Sequence, residues 1–134
     1  MTIVKRMAII LAALVTTLGV FTAPASAASK DFSIGRPTTF GTSGSVVFLN
    51  RSVQVSGAVW DYEYGSIAVF TAYDASNIQI GPQQKRSVPF HNNRYRTFGF
   101  PMDGSGVRGG IHRVKVELCD GLTGVCTPPE YVNR

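Results

Sequence analysis

Cysteine and histidine are scarce in this chain, charge is thin, and no apolar run is long enough to span a membrane. Two cysteines among 134 residues exclude the disulfide-dense mini-protein class, so the fold has to rest on a real hydrophobic core. Two histidines, His91 and His112, cannot make a zinc site by themselves. The other candidate ligands, Asp103 and Asp120, lie at no diagnostic spacing, and no metal or other cofactor is expected. Charged residues make up 16% of the chain, and past residue 27 only Lys85-Arg86 are adjacent bases, with Arg94 and Arg96 close by one another. A clustered basic stripe that could track phosphates is missing, which argues against a nucleic-acid partner. The apolar stretch Met7 to Phe21 covers 15 residues even with Thr16, Thr17 and Gly19 tolerated, whereas a spanning helix needs about 20. Serine nucleophile motifs are missing too: Gly41-Thr42-Ser43-Gly44-Ser45 lacks the GxSxG order, and Asp103-Gly104-Ser105-Gly106 reads as a turn.

What is present first is a leader. Lys5 and Arg6 form a basic n-region, Met7 to Thr22 an apolar h-region, and Ala25-Ser26-Ala27 a small-x-small cleavage pattern preceded by the helix breaker Pro24. Residues 1–27 are therefore expected to be a cleaved signal peptide and the product to be secreted and extracellular, with no membrane span after cleavage. No cysteine lies at the cleavage site, which excludes a lipobox start, and Lys5-Arg6 is not a twin-arginine pair. The leader takes two bases and no acids with it, leaving eleven bases against eight acids, a formal charge of +3. Part of the chain's basic character thus belongs to the leader.

Residues 28–134 suffice for one domain. The mixed, polar segment 28–37 reads as an N-terminal arm and 38–134 as a single β domain. Period-two alternation and turn residues dominate there, with no long segment at helical spacing. Ser45–Leu49 is a short apolar run, and Val53, Val55, Gly57 and Val59 alternate with polar or small neighbours. Ser66–Tyr73 is apolar on both faces, as a central strand would be. Asn77–Ile80 reads as a short strand closed by Gly81-Pro82, and Arg94–Phe100 alternates again. His112, Val114, Val116 and Leu118 oppose Arg113, Lys115, Glu117 and Cys119, the pattern of a half-solvated antiparallel strand. Asp120-Gly121 turns the chain, Val125–Thr127 can return beside it, and Pro128-Pro129 stops the ladder. Six to seven short strands fit a small antiparallel β-sandwich of Ig-like architecture, with a small β-barrel as the alternative.

Cys119 and Cys126, six residues apart, read in an oxidising compartment as a disulfide across one hairpin loop. Closing so small a ring stabilises by about 2–3 kcal/mol.

Trp60-Asp61-Tyr62-Glu63-Tyr64 is the most suggestive stretch for binding. On an extended strand Trp60, Tyr62 and Tyr64 would line one side about 7 Å apart and could stack sugars or anchor a protein, with Asp61 and Glu63 opposite. The plainer reading makes the trio a cap on the core at a hairpin end. Asp61 and Glu63 are neighbours on one strand of a small convex domain, which does not enclose the cleft a glycosidase pair needs, and they read as solvated acids. Arg94 and Arg96 put two guanidiniums on one strand face, suited to acidic carbohydrate or a carboxylate-rich surface, or to guarding a sheet edge.

No catalytic constellation emerges, so the expectation is a non-enzymatic extracellular binding or structural module, its partner a protein or a polysaccharide. An inhibitor of an extracellular hydrolase presenting the loop Asp120–Val125 and a carbohydrate-binding or carbohydrate-active protein are the alternatives. The architecture alone is similar to that of small secreted β-sandwich hydrolase inhibitors. The Trp-Arg-Tyr triplet of the α-amylase inhibitor kind is absent, so no functional residue is carried over.

Overall fold

The computed structural model describes residues 27–88 and 94–134, which form eight strands and no helix. The strands are β1 (Ala28–Gly35), β2 (Phe40–Phe48), β3 (Val53–Asp61), β4 (Ser66–Tyr73), β5 (Gln84–Val88), β6 (Tyr95–Met102), β7 (Arg113–Asp120) and β8 (Glu130–Asn133). They build two four-stranded antiparallel sheets, β1-β2-β3-β6 and β5-β4-β7-β8, packed as a small β-sandwich. No closed barrel is found among the described residues. Nor is any helix there long and apolar enough to cross a membrane. The connections β3 to β4, β5 to β6 and β6 to β7 cross between the sheets.

Alternation decides which residues face inward. Val53, Val55 and Val59 of β3, and Val114, Val116 and Leu118 of β7, are buried, while Arg113, Lys115 and Glu117 stay partly exposed. β4 is buried on both faces because it is central, flanked by β5 and β7. The core closes around Phe70 of β4, whose ring meets Phe32, Phe98 and Phe100 edge-on with centroids 5.6, 5.3 and 5.2 Å away.

Three expectations change. The N-terminal arm at 28–37 is mostly β1, an edge strand registered against β2 from Ala28↔Phe48 to Gly35↔Gly41. Only Phe32 and Ile34 give it an inward face, too faint a signal beside its polar neighbours. The strand count rises to eight because β1 joins and because pairing resumes after Pro128-Pro129 in β8, where Val132 is buried. Asn77–Ile80, in contrast, is no strand. The Asp74 carboxylate accepts the N–H groups of Ser76 and Ile78 and coils the segment into a turn, leaving one bridge, Tyr73↔Gln79. Residues 1–26, on which the expected signal peptide falls, and residues 89–93, with His91, lie outside the described residues.

Candidate functional site

The strand β3 ends at Asp61, and this residue explains why. Its Oδ1 accepts the N–H groups of Glu63 (2.8 Å) and Tyr64 (2.9 Å), and its Oδ2 accepts the hydroxyl of Ser66 (2.6 Å). An aspartate that satisfies the next backbone donors closes a turn instead of extending a strand. The expected row of Trp60, Tyr62 and Tyr64 on one strand face is therefore broken. Trp60 is still on the strand, facing away from the core, whereas Tyr62 and Tyr64 ride on the turn and are exposed.

Trp60 is held flat. Its Nε1–H donates to the Arg36 carbonyl at 2.9 Å, and the ring lies over Gly41, its cross-strand partner. A Cβ at Gly41 would collide with the indole Cζ2. The plainer reading of this residue, as packing at a hairpin end, fits that seat.

Asp61 is 8% exposed. Burial pushes its carboxyl up, but the hydrogen bonds from Ser66 and from the N–H groups of Glu63, Tyr64 and Gly65 together outweigh burial and hold it below the ordinary carboxylate value. It is an ionised structural anchor, not the solvated strand-face acid expected.

The disulfide loop stands opposite this turn. Cys119 and Cys126 are bonded, and they sit directly across from one another with Cα atoms 3.9 Å apart. The flanking bonds Asp120 N–H to Val125 O and Thr127 N–H to Leu118 O make this a non-hydrogen-bonded antiparallel pair, the closer of the two kinds. The Asp120 carboxylate accepts the N–H groups of Leu122 (2.7 Å) and Thr123 (3.1 Å). Gly121 N–H donates to Gly65 O at 3.0 Å, tying this loop to the Asp61 turn, and Tyr62 N–H donates to Thr39 O at 2.9 Å, tying that turn to the β1–β2 connection.

Between these loops, at one open end of the sandwich, is a cleft of about 520 Å³. Phe40, Tyr64, Leu118 and Val125 give it apolar walls, the disulfide closes one side, and Asp61, Glu63 and Asp120 supply the charge. Tyr64 is 56% exposed and Val125 69%, so the rim is open to solvent. Leu122 and Tyr62 are exposed at the same end.

No family model, curated protein or solved structure matches this chain. The site therefore has to be read from its own chemistry.

Of the residues singled out in the sequence, Tyr64 lines the cleft together with Cys119 and Cys126, while Trp60 and Tyr62 do not. Arg94 contributes its carbonyl, which accepts Asp61 N–H at 3.0 Å, and Arg96 Nη1 donates to Ser87 O at 3.3 Å across the neighbouring sheet edge; neither lines the cleft. Phe40 and Leu118 join the site without a sequence signal, from β2 and from β7, while Asp120 and Val125 bring to it the two ends of the loop singled out as an inhibitor loop. Among the described residues, Glu117, Cys119 and Cys126 bring three potential metal donors within 4.8 Å. Both sulfurs are consumed by the disulfide, so that group has no thiolate to offer. His112 is exposed at the far end of β7.

Proposed function

We propose that this chain is an exported, non-enzymatic binding module that seats a partner in the cleft between the Asp61 turn and the disulfide loop. The observation that carries the reading is the cleft itself: an apolar pocket with an exposed aromatic rim, whose walls are fixed by internal hydrogen bonds and one covalent bond. Preformed concave sites with few polar groups are where ligands bind at least entropic cost. Export is supported by the leader pattern and is compatible with the disulfide. Intact mass of the protein in culture medium should correspond to a chain starting at Ala28.

The binding reading is tested by capture from that medium with wild type and with a Tyr64→Ala/Val125→Ser variant. Wild type should retain a partner that the variant retains about tenfold less, the loss of roughly 1.4 kcal/mol expected when an aromatic anchor is truncated. Equal recovery would place binding elsewhere.

A second reading is favoured by the hairpin loop Asp120–Val125, which is closed by the disulfide and carries Leu122 and Val125 outward. A rigid loop with apolar tips is what an inhibitor of an extracellular hydrolase presents. Stoichiometric loss of hydrolase activity with wild type, relieved by Leu122→Ser, would favour it.

A further inference from the structure

We propose that the cleft recognises an arginine or lysine side chain presented by a protein partner, an inference that rests on the binding reading above. The charge in the cleft is one-sided. Asp61, Glu63 and Asp120 are three of the eight acids in the chain, and among the described residues no lysine, arginine or histidine lines the same cleft. Past the leader the chain has more bases than acids, so this concentration runs against the rest of the molecule. Asp61 and Asp120 spend carboxylate oxygens on their own turns, whereas the Glu63 carboxylate is exposed and has no hydrogen-bond partner among the described residues.

The remaining lining fits the stem of such a side chain. Methylene groups pack against apolar surface while the head stays with charge, and a guanidinium or ammonium is attracted to an aromatic face. Phe40, Leu118 and Val125 provide the first, Glu63 and Tyr64 the second. An anionic ligand would meet three like charges, and a neutral sugar would leave them unneutralised. At about 520 Å³ the cleft exceeds one side chain, so residues flanking the cation are seated as well.

The test is titration of the full chain with acetyl-Leu-Arg-Leu-amide and with its citrulline counterpart, followed by amide NMR. Expected are shifts at residues 61–66 and 118–127, affinity for the arginine peptide about tenfold above that for citrulline, and loss of that preference in Glu63→Gln. The Glu63 side chain is exposed and the turn uses only its backbone N–H, so this variant keeps the fold, and its unchanged amide spectrum verifies it. Equal affinity for the two peptides, or a preference that survives Glu63→Gln, overturns the inference. So does shifting of the same amides by chitohexaose alone, or a dimer of this chain that occupies the cleft. If Tyr64→Ala/Val125→Ser loses the natural partner while Glu63→Gln keeps it, the binding reading stands and the cation inference falls.

Discussion

Asp61 does the most at the scale of single residues. It ends β3, holds the turn and connects to Ser66 on the facing sheet. Asp61→Ala leaves the N–H groups of the turn and a buried hydroxyl without their acceptor and should cost about 2 kcal/mol, read as a lowered urea midpoint. The pH dependence follows from the direction of its shift. In the unfolded chain the carboxyl titrates near about 3.9, and in the fold it titrates lower, so the unfolded state binds the proton first. Its stabilisation is complete above that unfolded value, declines as pH falls through it and is gone below the folded value. Asp61→Asn should therefore flatten the acid limb of stability as pH falls below the ordinary carboxylate range, relative to wild type; parallel limbs would contradict the assignment. Trp60 is the only tryptophan, which makes its seat measurable. Gly41→Ala should push the indole off β2 and shift its emission to the red, since any Cβ there meets the ring.

Among the elements, the disulfide hairpin decides the site. Cys119→Ser/Cys126→Ser should lower stability by about 2–3 kcal/mol, the loop-closure value for a short ring. It should weaken partner capture further than a stability-matched core variant does, because the same bond forms one wall of the cleft. Equal weakening in both variants would reduce the disulfide to a stabilising role. The elements also differ in how far the sequence revealed them. In β7 charge alternates with valine and leucine, and in β4 both faces are apolar, so burial pattern and position could be read directly. β1 was hidden because two inward residues make a weak alternation, and β8 because four residues scarcely make one. Around Asp61 the alternation of Trp60, Tyr62 and Tyr64 has the period of a strand. A carboxylate capturing its own downstream N–H groups overrode that periodicity.

At the scale of the whole molecule, a sandwich built around Phe70 brings Phe40, the 61–66 turn and the 118–127 hairpin to one end. Those segments are far apart in sequence, and only the crossing connections between sheets unite them. That is why alternation and turn chemistry revealed the fold class and the disulfide but not the cleft. Tyr64 could be singled out as an aromatic near carboxylates and Asp120–Val125 as a disulfide-closed loop, whereas their meeting with each other and with Phe40 depends on the pairing of β4 with β7 and the loop that follows. Amide hydrogen exchange of the chain, free and bound to the partner captured from the medium, tests the central claim most directly. Binding in the cleft predicts added protection confined to residues 61–66 and 118–127, whereas protection on the outer faces of the sheets with these two segments unchanged would contradict it.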